Sequence, residues 1–99
     1  MHLKSYKYQR AVLVCADCEN RDDGPRHLDS KTGASALRKA LREGPVAVQV
    51  TRTRCLGLCP RKALAAVALG ASLPAMGAEL HDDDDLAELV RYAGGTATA

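Results

Sequence analysis

The four cysteines of the chain occur as two close pairs. Cys15 and Cys18 have two residues between them, and Cys55 and Cys59 have three. Two thiolates at such a short spacing can bind one metal ion or one edge of a cluster, and two pairs complete a shell of four sulfurs. The spacing therefore predicts a four-thiolate metal centre. Iron–sulfur clusters and tetrahedral zinc both accept this ligand set, so the spacing alone does not choose the metal.

Each cysteine pair follows an apolar run. Residues Arg10 to Val14 end in Val-Leu-Val directly before Cys15, which indicates a buried strand. Residues Val46 to Thr51 alternate between apolar and small or polar side chains, which predicts a second strand shortly before Cys55. We therefore expect both cysteine loops to meet at one edge of a sheet.

The other elements are read from periodicity and from turn residues. Turn-forming residues at 19–31 predict a surface loop. An apolar face predicts a helix that begins at position 33 or 34 and ends at 43, with Ser30 or Thr32 as its cap. Residues 63–69 have the highest helix propensity in the chain, so propensity alone favours a helix there.

The last third of the chain predicts a strand and a helix. Residues 73–80 contain Pro74 and Gly77, which predicts an irregular edge strand. Four aspartates at 82–85 then precede an apolar stripe of helical spacing, and acidic side chains suit a helix N-terminus.

Composition excludes several classes of protein. The 99 residues suffice for one domain, which we place at 10–93, between a polar lead-in at 1–9 and a flexible tail at 94–99. The net charge of +2 and the three aromatic residues argue against a nucleic-acid-binding surface.

The absence of a long apolar run argues against membrane insertion and secretion, so we expect a cytoplasmic protein. In that reducing compartment, cysteines serve metal or redox chemistry more often than structural disulfides.

Three other interpretations of the cysteines remain open from the residues alone. The thiols could be inert core side chains. Cys15 and Cys18 could form a C-x-x-C thiol–disulfide oxidoreductase pair, although such a pair usually opens a helix, and here a loop rich in Gly, Pro and Asp follows. All four cysteines could bind zinc, with a structural or metal-handling role.

Two segments resemble the thioredoxin-like [2Fe–2S] ferredoxins. They are Val12-Leu13-Val14-Cys15 and Arg54-Cys55-Leu56-Gly57-Leu58-Cys59-Pro60 with the small residues that follow it. The resemblance covers residues 10–93, and C-L-G-L-C-P is its most specific part. It implies an α/β, thioredoxin-like fold with about four strands in a mixed sheet and two flanking helices, including a strand at 63–69.

The same resemblance implies a function. It implies one [2Fe–2S] cluster and electron transfer to a redox partner protein, often by a homodimer, with no catalysis on a substrate. The implied ligands are Cys15, Cys18, Cys55 and Cys59. In many relatives the two N-terminal ligands are separated by four residues, or by ten or more. Here two residues separate them, so either Cys18 serves as the second ligand or the site has been remodelled.

Basic residues flank the second cysteine pair. From position 44 to 78 the only charged residues are positive: Arg52, Arg54, Arg61 and Lys62. They could offset the negative charge of a cluster with four thiolates, or attract the acidic surface of a redox partner. A solvated surface without either role is the third interpretation.

Overall fold

The computed structural model describes residues 1–5, 7–20, 22–58 and 60–94. Cys59 and most of the predicted tail, 95–99, lie outside these ranges. Within them the chain forms four strands and two α-helices, with a short 3₁₀ helix at Cys18–Asn20. In chain order, the elements are β1 (Arg10–Cys15), α1 (Ser30–Arg42), β2 (Val48–Thr53), β3 (Leu64–Gly70), β4 (Leu73–Leu80) and α2 (Asp83–Gly94).

The four strands form one mixed sheet in the order β2-β1-β3-β4. β1 and β2 run parallel, whereas β3 is antiparallel to both β1 and β4. A parallel pair needs a crossover connection, and α1 supplies it. The prediction of an α/β fold with a four-stranded mixed sheet and two helices is confirmed. The thioredoxin-like assignment stays a prediction.

Both helices lie on one face of the sheet. α1 packs on β1 and β2, α2 packs on β1 and β4, and the two helices contact each other. The core between these layers contains Val12, Val14, Leu37, Leu64 and Leu80, each no more than 2% exposed. Neither described helix has the length and hydropathy of a membrane-spanning segment.

The segment at 63–69 is a strand, as the resemblance implied, and the helix favoured by propensity is wrong. β3 lies between β1 and β4, where Ala66 and Ala68 pair with Val14 and Val12. Both alanines are fully buried. Small side chains at this position let the helix layer approach the sheet, so burial and strand pairing outweigh the intrinsic helix preference of alanine.

Helix α1 begins at Ser30, three or four residues earlier than predicted, and its cap is Asp29 rather than Ser30 or Thr32. The Asp29 carboxylate accepts a 2.7 Å hydrogen bond from the Thr32 backbone N–H. This bond and a second one from the Thr32 hydroxyl lower the pKa of Asp29 from its usual value. The strand β2 begins two residues later than predicted because Val48 is the residue that pairs with Arg10.

Gly70 closes the connection between β3 and β4, and we expect Gly70→Ala to be strongly destabilising. Its φ of +136° disfavours L side chains, and an added Cβ would lie 2.6 Å from both Arg10 Cα and Gln9 O. The expected loss in unfolding free energy is about 2–3 kcal/mol, measured by denaturant titration. Gly57→Ala is the matched control, since Gly57 also has a positive φ (+83°) but a Cβ there meets nothing within 4 Å. Equal losses in the two variants would contradict the steric argument.

Candidate metal centre

The two cysteine loops leave the sheet at the same end. β1 and β2 are parallel, and Cys15 at the end of β1 pairs with Thr53 at the end of β2. The Ala16 N–H continues the ladder beyond the strand by donating to the Thr53 carbonyl at 2.7 Å. Cys18 therefore lies three residues beyond one strand end and Cys55 lies two residues beyond the other. The sequence-based expectation of one shared edge is confirmed for these residues.

Asp17 connects the two loops directly. Its carboxylate accepts a hydrogen bond of 2.8 Å from the Cys55 backbone N–H. The same oxygen, Oδ2, lies 3.6 Å from Arg54 Nε. Asp17 sits between the two cysteines of the first pair, so one side chain links the C-x-x-C segment to the C-x3-C segment. The sequence analysis did not predict this role of Asp17. The only indication in the sequence was an acidic residue between Cys15 and Cys18 and a basic residue, Arg54, beside Cys55.

A second link joins the loop after the first pair to the end of the second loop. The Lys62 N–H donates to the Asp23 carbonyl at 2.6 Å, and Arg61 Nε lies 3.8 Å from Asp23 Oδ2. Lys62 adopts a positive φ of 56°, which is uncommon for a residue with a side chain. The hydrogen bond to Asp23 helps to hold this backbone conformation. The chain segment from 53 to 62 is thus attached to the first cysteine loop at both of its ends.

The described cysteines differ in their exposure. Cys15 is 1% exposed and Cys18 is 3% exposed, whereas Cys55 is an exposed residue. Cys59, the fourth predicted ligand, lies outside the described residues. A centre bound by these side chains would therefore have a buried side, formed by the first pair, and an outer side at Cys55.

The Cys55 sulfur accepts a hydrogen bond within its own loop. The Gly57 N–H lies 3.3 Å from Cys55 Sγ. The positive φ of Gly57, +83°, is available to glycine at little cost and helps turn this amide back toward the sulfur. Amide donors to sulfur stabilise the thiolate form that metals and clusters require.

A four-thiolate centre needs four cysteine sulfurs close together. In the ranges that the structure describes, no three His, Cys, Asp or Glu side chains converge as a metal site. The thiols of Cys15, Cys18 and Cys55 are of the donor type that such a centre uses, and the loops that carry them leave the sheet at one end. The fourth cysteine, Cys59, follows Cys55 by four positions in the sequence and lies outside the described residues.

Much of the local positive charge is already paired with acids of this chain. Arg54 and Arg61 face Asp17 and Asp23, as described above, and the Arg52 guanidinium donates to Ser30 Oγ at 3.0 Å. The Arg54 and Arg61 side chains are still 93% and 88% exposed. Arg54 and Arg61 therefore contact acids of the first cysteine loop while their side chains stay accessible to solvent.

The N-terminus of α2 lies at this same end of the sheet. Strand β3 is antiparallel to β1 and pairs Ala66 with Val14, so Leu64 lies toward the cysteine end. Leu80, the last residue of β4 before α2, pairs with Leu64. Asp82 Oδ1 accepts from the Asp85 N–H at 3.1 Å, which confirms that the aspartates cap this helix. Asp85 Oδ2 in turn accepts from the His81 N–H at 2.8 Å and lies 3.0 Å from His81 Nδ1. The hydrogen bond from the His81 backbone has the larger effect and the contact with the His81 side chain the smaller, and both lower the pKa of Asp85 below its usual 3.8.

The lowered pKa of Asp85 predicts a pH-dependent stability. Since the folded pKa lies below the unfolded value of 3.8, the stabilising contribution is complete well above pH 3.8 and is lost as the pH falls through the folded pKa. We expect the difference in unfolding free energy between wild type and Asp85→Asn to be largest near neutral pH and to shrink in acid. Urea titrations from pH 7 to pH 2 measure it, with Asp84→Asn as the control for loss of helix N-terminal charge. A difference that does not change with pH would contradict the assignment.

No protein-family model matches the sequence, and comparison with curated proteins and with solved structures finds no match. The family assignment therefore stays a prediction that depends on the residues around the four cysteines.

Proposed function

We propose that the protein is a small electron-transfer protein that binds one [2Fe–2S] cluster through Cys15, Cys18, Cys55 and Cys59. The observation that carries the proposal is the hydrogen bond from the Cys55 N–H to Asp17, which holds the two cysteine loops against each other. The four-cysteine spacing and the C-L-G-L-C-P segment supply the chemical identity of the site. In this proposal Cys18 serves as the second N-terminal ligand.

The burial of the first pair favours a metal centre over a thiol–disulfide oxidoreductase. A nucleophilic cysteine needs a thiol that a substrate disulfide can reach, and Cys15 and Cys18 are almost fully buried. Cys18 opens only a three-residue 3₁₀ helix, so the helix N-terminus that normally activates a C-x-x-C pair is missing at this position. The exposure of Cys55 disfavours an inert core role for that cysteine, whereas Cys15 and Cys18 belong to the hydrophobic core.

The residues around the site have distinct tasks in this proposal. A bound cluster would accept and release one electron at a time. The buried Cys15 and Cys18 would hold the cluster on the side away from water, and the exposed Cys55 would hold it on the side that a partner can approach. The Gly57 amide stabilises negative charge on the Cys55 sulfur, and Asp17 keeps the two ligand loops together.

The proposed setting follows from the same features. We place the protein in the cytoplasm, where exposed thiols stay reduced. Its redox partner would present acidic groups to the exposed side chains of Arg54 and Arg61. Pairing with Asp17 and Asp23 weakens that attraction, so the association should be fast, salt-sensitive and weak. The resemblance also supports a homodimer.

The first experiment is a visible absorption spectrum with iron, sulfide and zinc analysis of protein purified without oxygen. The proposal predicts a brown protein with about two irons and two sulfides per chain. A colourless protein with one zinc would replace the proposal with a zinc module built on the same thiols. A colourless, metal-free protein that iron and sulfide do not restore would remove the metal centre and favour dithiol chemistry.

A further inference from the structure

A groove of about 300 Å³ lies between the edge strand β4 and helix α2. Several apolar side chains form part of its wall: Met76, Ala78, Leu89 and Tyr92. Met76 is 52% exposed and Tyr92 is 36% exposed, so two large apolar side chains reach solvent at the same site. These two side chains give the groove an apolar wall that is accessible from solvent.

The remaining side chains of the groove give it a negative charge. Glu79, Asp85 and Glu88 also line it, and no basic side chain does so in the part of the chain that the structure describes. The sequence explains the sign, because residues 63–90 contain six carboxylates, no lysine and no arginine. Asp85 contacts His81, so Glu88 of α2 and Glu79 of β4 are the two exposed carboxylates along this edge. The Glu79 side chain alternates to the face of β4 opposite to Ala78 and Leu80, where it can meet a lysine of a strand paired with β4.

The backbone of β4 adds a third feature. Among the described strands, β4 is the last on its side of the sheet and pairs only with β3. The outer side of such a strand can accept an extended peptide as a further strand, with alternate side chains entering a neighbouring groove. At the beginning of β4, Pro74 has no N–H to donate and its carbonyl accepts from the Tyr92 hydroxyl at 3.0 Å. The segment from Met76 to Glu79 is therefore the better place for pairing.

We propose that the groove between β4 and α2 is a docking site for an extended segment of a partner protein that carries lysine or arginine side chains. Backbone pairing with β4 would supply affinity, the apolar side chains would receive alternate aliphatic residues, and the carboxylates would select positive charge. This site does not depend on the metal centre. Its Leu80 end nevertheless lies at the cysteine end of the sheet, and Leu58 of the second cysteine loop lies against Gly77, where a Cβ would be 3.1 Å from its Cδ atoms.

The test uses a labelled ten-residue peptide of alternating lysine and valine, titrated with the full chain in a fluorescence anisotropy experiment. The double variant Glu79→Lys/Glu88→Lys should weaken binding at least about tenfold, because it reverses the two exposed carboxylates that flank the edge of β4. The control Asp22→Lys/Glu43→Lys makes the same change in net charge at exposed positions outside the groove, and should change binding less than about twofold. Hydrogen–deuterium exchange with bound peptide should show new protection in 76–79.

Four results would overturn the proposal. Equal weakening by the two double variants would indicate general charge attraction instead of a site. Equal binding of a glutamate–valine peptide would remove the charge selection, and protection elsewhere than in β4 would remove the groove. The absence of binding at millimolar peptide would also reject it. The peptide assay does not measure iron, so a failure of peptide binding does not test the proposed cluster. Likewise, a metal-free protein would not reject the peptide-binding groove.

Discussion

If the proposed cluster is bound, replacement of Cys15 by alanine should eliminate at least about nine-tenths of the iron of the wild-type protein. Cys15 ends β1 and is 1% exposed, so solvent has little access to the position of its sulfur. A cluster with three remaining thiolates is open to hydrolysis and loss of iron. Iron and sulfide per chain, together with the visible spectrum of protein purified without oxygen, measure the effect. Retention of the wild-type iron content would reject Cys15 as a ligand.

The matched control is Val14→Ala. Val14 precedes Cys15 in β1 and is fully buried, so its truncation removes core volume without removing a sulfur. It should destabilise the fold by about 1–3 kcal/mol and leave the iron stoichiometry of the folded fraction unchanged. If Val14→Ala lost iron as completely as Cys15→Ala, general instability would account for both results.

Removal of the Asp17 carboxylate should loosen the connection between the two cysteine loops. In Asp17→Ala the Cys55 N–H loses its acceptor and Arg54 loses its ionic partner. A hydrogen bond to a charged group contributes about 1.5–3 kcal/mol, and partial exposure of Asp17 reduces this to about 1–2 kcal/mol. Opening of the loops should then be roughly tenfold more frequent, and a chelator should remove bound metal roughly tenfold faster.

Asp17→Asn separates the hydrogen bond from the charge. The amide oxygen of asparagine can still accept from the Cys55 N–H, so metal loss should be intermediate between wild type and Asp17→Ala. Asp22→Ala is the control, since Asp22 is an exposed acid in the same loop. Equal rates of metal loss in Asp17→Ala and wild type would show that this contact does not hold the site together.

Local patterns predicted the elements that carry the cysteines. Val12 and Val14 indicated the strand before Cys15, and β4 and the acid-capped α2 were also predicted in their places. These features depend on neighbouring residues: β-branched side chains favour a strand, proline confines it to an edge, and aspartates suit a helix N-terminus. The expectation that the two cysteine loops meet followed from their positions after successive strands.

Other features depend on residues that are distant in the sequence. The alanine-rich β3 is a strand because Ala66 and Ala68 pair with β1 and β4 and are buried beneath the helices. Intrinsic helix propensity does not take these tertiary contacts into account. The groove beside β4 likewise exists only because α2 returns to pack on that edge strand.

The sequence alone supplied the chemistry that the proposal uses, since four thiols in two close pairs are able to bind a metal ion or a cluster. Tertiary structure alone decided how the pairs are held. Asp17 is ordinary in sequence, and its contact with the Cys55 amide arises because the parallel pairing of β1 and β2 brings positions 38 residues apart within 2.8 Å. It also decided that Cys15 and Cys18 are buried and Cys55 is exposed, because burial depends on the packing of the whole domain.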